Sequence, residues 1–229
     1  MSLIEKADLR IKSQVRGTMG PDILTGDAGN DQIFGDRGND LIDGSSGDDC
    51  LRGGKDNDTL SGGSENDLLY GDREIDSLGG GLGNDTLYGG KDNDTLNGDG
   101  GNDFLSGDKG NDFLTGGVGS DTFFFLFDPD GSFGTDTITD FNSAEGDIIG
   151  LAGSGGGGFN LPAGNLSPDE FRVIDNFLPN QSNGFLQAII YDSVNGLIYF
   201  NETAGTGDEV PIARVSSGTE LNAGDFRIF

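Results

Sequence analysis

Apolar and polar residues between positions 17 and 124 recur with a period of nine. The stretch divides into twelve consecutive nine-residue copies without insertion or deletion. A single apolar position in each copy, flanked by polar residues, predicts a very short strand with one inward side chain. That position is the eighth: Leu24, Ile33, Ile42, Leu51, Leu60, Leu69, Leu78, Leu87, Leu96, Leu105, Leu114 and Phe123. A repeat of this length predicts a solenoid, because each rung must present the same groups at the same height.

Two more positions of the copy are invariant, a first-position glycine and a sixth-position aspartate. The glycines are Gly17, Gly26, Gly35, Gly44, Gly53, Gly62, Gly71, Gly80, Gly89, Gly98, Gly107 and Gly116. We expect them to allow a tight turn with positive φ, where a Cβ would clash. The fifth position is Asn in eight copies, and we expect it to share this left-handed conformation. The aspartates are Asp22, Asp31, Asp40, Asp49, Asp58, Asp67, Asp76, Asp85, Asp94, Asp103, Asp112 and Asp121.

The aspartates of a stacked solenoid form a ladder of like charges. Rungs ~4.8 Å apart place these carboxylates close together, and each pair repels by roughly 1 kcal/mol in water and by more near a protein surface. A cation between rungs would relieve this repulsion. Oxygen ligands on an irregular turn favour a hard divalent ion, and Ca²⁺ fits a loose cage better than Mg²⁺ does.

Three copies, GDAGNDQIF (26–34), GDRGNDLID (35–43) and GDKGNDFLT (107–115), resemble the calcium-binding nonapeptide of RTX proteins. The resemblance implies an all-β fold, a right-handed parallel β-roll with two nonapeptides per turn and calcium between like-sided loops. It implies that the twelve aspartates and turn carbonyls are the metal ligands. The implied carbonyl donors are Gly26, Gly35, Gly44, Gly53, Gly62, Gly71, Gly80, Gly89, Gly98 and Gly107. Two columns of six loops have five gaps each, so we expect up to about ten ions.

The third and fourth positions show a period of 18. Basic residues occupy the third position of odd-numbered copies as Arg37, Lys55, Arg73, Lys91 and Lys109. Odd and even turns are therefore expected on opposite edges. Asp56, Glu74 and Asp92 follow three of these basic residues directly. We expect a salt-bridge ladder of ~0–1 kcal/mol per pair; the alternatives are extra metal ligands or an edge that binds an anionic glycan.

The outward strand positions also differ between even and odd copies. Even copies carry the aromatic residues Phe34, Tyr70, Tyr88, Phe104 and Phe124 there, whereas odd copies carry mostly hydroxyl and amide side chains. An exposed apolar patch of this length marks a contact surface. We expect it to pack against the C-terminal part of the chain or to mediate self-association. Copy seven, GDREIDSLG (71–79), departs most from the pattern, and we expect a poorer site there.

The repeats define three regions: an N-terminal cap segment (1–16), the β-roll (17–124) and a β-rich C-terminal domain (125–229). Further strands are predicted at 123–127, 136–141, 147–151, 186–192, 196–202, 210–215 and 225–229, with a short helix from Ser167 and a flexible glycine-rich loop at 153–165. Asp136 and Asp140 are candidates to cap the metal column, although ordinary turn carboxylates are favoured. DPDG (128–131) lacks the Glu of an EF-hand loop and is rejected as one.

A net charge of −27 argues against nucleic acid or anionic membrane as a partner. The sequence contains no run of about 20 apolar residues, so no membrane-spanning helix is predicted. The first residues lack the apolar core of a secretory signal peptide. Family members instead use an uncleaved C-terminal signal for an ABC-type (type I) exporter, and Asp225-Phe226-Arg227-Ile228-Phe229 has that form, interrupted by Arg227. The lone Cys50 is interpreted as a strand residue.

The absence of histidine excludes Ser–His–Asp, Cys–His and HExxH sites. A carboxylate pair for glycoside hydrolysis stays open among the 40 acids. The repeat aspartates are accounted for by metal, so we expect no catalysis within this chain. Two functions remain. One is a secreted, extracellular or cell-surface calcium-binding protein that folds when it meets calcium after export and has a structural or surface-interaction role. The other is the calcium-dependent folding and secretion module of a larger secreted hydrolase such as a protease or lipase.

Overall fold

The computed structural model describes residues 14–127, 133–153, 164–165, 171–174, 188–201, 209–216 and 218–229. These residues form a parallel β-solenoid of about six turns, which confirms the predicted fold class. Helical structure in the described part is limited to a 3₁₀ turn, Ala223–Asp225. The right-handed sense, the domain boundaries and the short helix from Ser167 stay predictions. Residues 154–163 of the predicted loop lie outside the described ranges. The described ends of that loop are strands instead, since Gly153 ends one strand and Gly164–Asn165 form another.

Strands alternate between two sheets. They are β1 Gln14–Arg16, β2 Ile23–Thr25, β3 Gln32–Arg37, β4 Leu41–Ser46, β5 Cys50–Lys55, β6 Thr59–Ser64, β7 Leu68–Tyr70, β8 Ser77–Leu82, β9 Thr86–Lys91, β10 Thr95–Gly100, β11 Phe104–Lys109, β12 Phe113–Thr115, β13 Thr122–Phe127, β14 Asp136–Ile138, β15 Ile148–Gly153, β16 Gly164–Asn165, β17 Phe171–Ile174, β18 Ala188–Asp192, β19 Leu197–Asn201, β20 Glu209–Arg214 and β21 Phe226–Ile228. The first sheet contains β1 and the odd-numbered strands to β15, then β21 and β16; the second contains β2 and the even-numbered strands to β14, then β20, β19, β18 and β17.

Neighbouring strands of the roll are parallel and 18 residues apart in register. Leu51, for example, pairs with Ile33 on one side and Leu69 on the other. Eleven of the twelve eighth-position side chains, Ile33 to Phe123, are buried, and Leu24 packs partly buried against them. The core is therefore a column of one apolar side chain per copy between the two sheets.

A strand of the first sheet takes its first three residues from an even copy and its last three from the next odd copy. β3 begins with Gln32 of copy two and ends with Arg37 of copy three. The basic third positions of odd copies and the aromatic positions of even copies consequently share one sheet. The sequence pattern alone separates them into two classes of copy.

The conformational role expected of the first-position glycines is wrong. None of them has a φ in the left-handed region. Positive φ occurs instead at the second and fourth positions, including non-glycine residues at φ of 65 to 82°: Asp36, Ser45, Asp56, Glu65, Asp72, Glu74, Asp92, Asp99 and Asp108. The fifth-position Asn residues are not among them, so that expectation is wrong too. Asp is among the residues that tolerate this region best after glycine.

The strands after the repeats extend the same two sheets. β15 pairs in parallel with β13, and β14 pairs in parallel with β12. The predicted hairpin is confirmed as the antiparallel pair β18 and β19, joined by the turn 193–196. The C-terminal strand β21 pairs in parallel with β15. Of the predicted N-terminal cap, the described residues 14–16 form β1, which pairs with β3.

Candidate metal columns

Each sixth-position aspartate from Asp40 to Asp121 uses one carboxylate oxygen to bind the rung before it. Its Oδ1 accepts a hydrogen bond from the backbone N–H of the aspartate 18 residues earlier, as in Asp67 N–H to Asp85 Oδ1 at 2.7 Å and Asp76 N–H to Asp94 Oδ1 at 2.8 Å. The pattern repeats along both edges of the roll. The aspartates therefore form two columns, one made of odd copies and one of even copies.

Both columns continue past the last repeat. Asp136 Oδ1 accepts the N–H of Asp112 at 3.0 Å, and Asp147 Oδ1 accepts the N–H of Asp121 at 3.0 Å. Asp140 accepts the N–H groups of Gly116 and Gly117. Asp136 and Asp140 thus bind the backbone of the last repeats, and a role for them in capping a metal column stays a prediction. Asp147 was missed, because the chain between Asp121 and Asp147 no longer follows the period of nine.

The second carboxylate oxygen is buried and lacks a hydrogen-bond partner in ten of these aspartates. They are Asp40, Asp49, Asp58, Asp67, Asp76, Asp85, Asp94, Asp103, Asp112 and Asp121. Burying an unpaired carboxylate oxygen costs several kcal/mol, since the group loses its water without a replacement. Ten such atoms in two columns indicate that a further positively charged or hydrogen-bonding group must bind these oxygens.

The first-position glycines border these orphaned oxygens. A Cβ on Gly71 would lie 2.5 Å from Oδ2 of Asp76 and 2.5 Å from the carbonyl oxygen of Gly89 on the next rung. Gly89, Asp94 and Gly107 repeat the arrangement at 2.6 and 2.9 Å. Glycine is needed here for space, because a carboxylate oxygen and a carbonyl oxygen converge beside it. The structure therefore brings predicted aspartate and glycine donors together.

Burial raises the pKa of these carboxyl groups. The pKa is about 6 for Asp49, about 7 for Asp58 and about 8 for Asp94, chiefly because desolvation penalises the charged form. At the cap, burial and then the charge of Asp112 raise the pKa of Asp136 to about 9. Without a counter-cation, burial extends the pH range over which these carboxyl groups stay protonated. A bound cation would compete with those protons.

The donor set fits a calcium ion. It combines carboxylate and carbonyl oxygens on turns, the hard, loosely arranged ligands that calcium prefers. No three Asp, Glu, His or Cys side chains in the described part of the chain come together as a conventional metal cluster. Any ion in these columns would therefore depend largely on backbone carbonyls.

The repeat residues match a known family model. Four successive matches to the RTX calcium-binding nonapeptide repeat cover residues 16–50, 43–78, 75–105 and 97–128. Residues 16–128 are RTX repeats. RTX repeats bind calcium, which agrees with the carboxylate columns, and the predicted family resemblance is confirmed.

Two further comparisons give context for the RTX region. The chain is similar to the crystal structure of the extracellular lipase LipA from Serratia marcescens, at 18% identity and a TM-score of 0.30. The match covers 96% of this chain and 40% of the lipase chain, so this chain spans well under half of the lipase's length. A comparison with curated proteins gave no match. No membrane-spanning helix is found in the described residues.

The fifth position of the RTX repeat forms an amide ladder. The side-chain oxygen of Asn84 accepts the backbone N–H of Asn102 at 2.7 Å, and Asn84 donates its own N–H to Asn66 Oδ1 at 2.8 Å. Ile75 has no side-chain amide. Its backbone N–H donates to Asn57 Oδ1 at 3.2 Å, but its side chain offers no acceptor to Asn93, so the column is interrupted there. The Asn pattern in the sequence thus reports inter-rung hydrogen bonds.

The salt-bridge ladder predicted for the basic edge is wrong. Glu74 accepts the backbone N–H of Asp56, and Asp56 accepts that of Gly38, so these acids bind neighbouring rungs. In the described residues the ion pairs are instead Arg16–Asp36 and Arg52–Asp72. The fourth-position acids have positive φ, which turns their carboxylates towards the backbone of the preceding rung.

The aromatic residues of the even copies form a row on the first sheet. Tyr70 and Tyr88 stack with centroids 5.2 Å apart and an angle of 8° between planes. Phe104 lies 5.9 Å from Tyr88 and 5.2 Å from Phe124. The ring of Phe229 packs on Phe124 edge to face at 5.7 Å. The predicted contact with the C-terminal part is confirmed at Phe124. Tyr70, Tyr88 and Phe104 pack on rings of the row, whereas Phe34 packs under Arg16.

Proposed function

We propose that this chain is a secreted calcium-binding RTX β-roll whose folding is driven by extracellular calcium after export by an ABC-type (type I) exporter. Its role in this proposal is structural or one of surface interaction. The observation that carries the proposal is the set of ten buried carboxylate oxygens without a partner. A chain with these groups charged and unliganded would be poorly stable.

The proposed metal sites number ten, one for each orphaned oxygen. Asp22 and Asp31 are excluded from this set because their second oxygens accept backbone N–H bonds from Thr18 at 2.6 Å and Asp27 at 2.7 Å. Asp40 to Asp121 would supply carboxylates, and first-position glycines would supply carbonyls from the next rung. Calcium, when bound, would supply the positive charge that offsets repulsion along each column.

Coupling between calcium and folding explains how such a chain could pass an exporter. Modules that work outside cells bind calcium with a Kd of ~10⁻⁴–10⁻³ M, far above cytosolic calcium levels. The columns would then be unliganded and the chain unfolded during export. Outside, at ten times Kd, each site would add ~1.4 kcal/mol of stability. Several sites together would contribute as much as a domain's net stability.

The proposal includes no catalytic role for this chain. In its support, the sequence has no histidine. Most buried acids of the roll, including Asp85 and Asp94, accept a backbone N–H through Oδ1 and lie beside the first-position glycines. These groups are engaged in holding rungs together.

A calcium titration of the chelator-treated full chain tests the proposal. Circular dichroism should show a cooperative transition from coil to β-structure, calorimetry should count about ten ions, and magnesium at the same concentration should give much less β-structure. A β-rich spectrum that is identical with and without calcium would refute the proposal.

The position of a carboxylate in the column decides how much its loss matters. Asp94→Ala removes a fully buried carboxylate and the acceptor for Asp76 N–H. Asp22→Ala is the matched control, because that carboxylate lies on the end rung and is partly exposed. Asp94→Ala should raise the calcium midpoint several-fold, at a cost of ~2 kcal/mol or more, and Asp22→Ala should change it little. Equal midpoints for the two variants would contradict the column model.

A further inference from the structure

The outer face of the first sheet carries a groove between basic and aromatic side chains, here called the basic groove. Its outer side is formed by Arg37, Lys55, Arg73, Lys91 and Lys109. Its floor is formed by ninth-position residues of the same sheet, among them Phe34, Tyr70 and Tyr88. Three adjoining cavities share lining residues and make it continuous from Met19 to Phe133. Seven strands at ~4.8 Å give a length of about 29 Å.

The cations of the groove are in register from rung to rung. Arg37 pairs with Lys55 across β3 and β5, and Lys91 pairs with Lys109 across β9 and β11. Like charges at strand spacing repel one another. Asp56 and Glu74, which follow two of these cations in the sequence, accept backbone amides and form no ion pair with them in the described residues. One of the five, Lys109, lies over the Phe133 ring at 5.1 Å.

The floor of the groove is fixed in place. Arg16 donates two hydrogen bonds of 2.6 Å to Asp36 and lies over the Phe34 ring at 5.7 Å. Arg52 is bound to Asp72 in the same way and lies over the Tyr70 ring at 5.7 Å. These planar contacts immobilise both guanidinium groups before any ligand arrives. The third-position cations on the outer side are left as the free positive charges of the groove.

The charge of the groove contrasts with that of the molecule. The chain carries 13 Lys and Arg residues and a net charge of −27. Seven of those 13 line this one surface, namely the five third-position cations with Arg16 and Arg52. Three acids, Asp36, Asp72 and Asp108, line it as well, so cations outnumber acids there by four. A concentration of positive charge on one face of an acidic protein attracts anionic ligands to that face alone.

We propose that the basic groove binds a linear polysaccharide with a carboxylate on each sugar. Successive carboxylates of an extended chain lying along the groove pair with successive third-position cations. The exposed edges of Tyr70 and Tyr88, whose ring faces cover each other, offer hydroxyl groups to the sugar hydroxyls. The same stacking disfavours a single-stranded nucleic acid, because binding of that class uses free aromatic faces on which bases stack.

Calorimetry of the calcium-saturated full chain tests this inference with a hexamer of galacturonate as the probe. We expect binding by the unaltered chain that weakens as salt rises. The triple variant Lys55→Gln/Arg73→Gln/Lys91→Gln should lose affinity on the order of tenfold or more. The matched control is Ser46→Gln/Ser64→Gln/Leu82→Gln, which alters the equivalent third positions on the opposite edge. The control should bind as the unaltered chain does.

Circular dichroism of each variant separates this inference from the proposed function, on which it rests only for a folded roll. Both triple variants should keep the calcium midpoint of the unaltered chain. If the basic triple variant does not fold, Arg73→Glu alone replaces it and should weaken hexamer binding. Absence of binding by the folded, unaltered chain, or equal binding by both triple variants, would overturn the inference. Tighter binding of an oligothymidylate of equal charge would overturn the choice of ligand class.

Discussion

At the scale of single residues, the invariant Asp and Gly of the RTX repeat are explained by hydrogen bonding and by the space around the carboxylate. The two carboxylate oxygens of the sixth-position Asp differ in the ten column members. Oδ1 accepts a hydrogen bond from a backbone amide, and Oδ2 has no hydrogen-bond partner. The first-position Gly leaves room for that second oxygen. Substitutions at these two positions should therefore act through the column and not through backbone conformation.

We predict that Gly89→Ala destabilises the calcium-bound roll. The added Cβ would lie 2.6 Å from Asp94 Oδ2 and 2.9 Å from the carbonyl oxygen of Gly107, so both donors must move. Overpacking of this kind costs ~1–3 kcal/mol. Gly79→Ala is the control, because its Cβ meets nothing closer than 3.9 Å. Urea unfolding at saturating calcium measures both variants, and a loss of stability as large in Gly79→Ala would contradict the spatial explanation.

We predict that the calcium-free chain is more stable at pH 5 than at pH 8. The folded pKa values are about 6 for Asp121, about 7 for Asp103 and about 8 for Asp94, all above the usual 3.8. A raised carboxyl pKa gives stability that is fully present below the unfolded value and is lost as pH rises through the folded value. Stability should therefore fall between about pH 4 and pH 8.

Circular dichroism of the metal-depleted chain across this range checks the prediction, because the remaining β-structure should be greater at pH 5 than at pH 8. Asp94→Asn removes the titrating group and should flatten the upper part of the curve. In calcium the dependence should reverse, with a higher calcium midpoint at pH 5, because protons compete with the ion. A calcium-free chain whose stability rises with pH would show that the carboxyl groups are not buried as described.

At the scale of elements, each strand is held by its ladder to the rungs 18 residues away and by two side-chain columns. Aspartate oxygens hold the sixth positions and asparagine oxygens hold the fifth. Copy seven interrupts the asparagine column, because it has Ile75 at the fifth position. Its Asp76 remains a column member with an orphaned oxygen, so the copy keeps its carboxylate.

We predict that Ile75→Asn stabilises the roll. The side chain of Ile75 is 55% exposed and offers no acceptor to the backbone N–H of Asn93. An amide at position 75 would restore the column between Asn57 and Asn93 and add ~0.5–1.5 kcal/mol. Ile75→Leu, which adds no acceptor, is the control and should be neutral. Guanidinium unfolding in calcium measures the difference, and no gain for Asn over Leu would show that the amide column contributes little.

At the scale of the whole molecule, the roll and the C-terminal strands share their sheets. β21, within the segment predicted as an export signal, lies between β15 and β16. Phe226 is fully buried there, and Phe229 lies against the aromatic row. An exporter that reads this segment would meet it free only in the unfolded chain.

We predict that Phe226→Ala destabilises the roll through its C-terminal end. Loss of a fully buried phenylalanine costs ~3–5 kcal/mol, and the raised calcium midpoint should reflect this. Phe229→Ala is the control, because that side chain is 57% exposed and should cost ~1 kcal/mol or less. Calcium titrations followed by circular dichroism compare them. Unchanged midpoints in Phe226→Ala would mean that the roll folds independently of β21.

The sequence by itself determined the solenoid, its core and its carboxylate columns. Strict periodicity fixes which residues stack, so Leu51 over Ile33 and Asp85 over Asp67 could be read from spacing alone. Most strands after the repeats were also predictable, because alternation and turn residues are local signals. β16 and β17 were missed, and β16 lies in the stretch that was predicted as a flexible loop.

Only the tertiary structure decided what the repeated residues do. It showed that first-position Gly is required for space, that Asn is an acceptor and that Glu74 binds an amide. It also placed the aromatic row of even copies and the cations of odd copies on one sheet, because each strand crosses a copy boundary. These outcomes depend on distances between residues 18 or more positions apart, which a pattern of residue types does not contain.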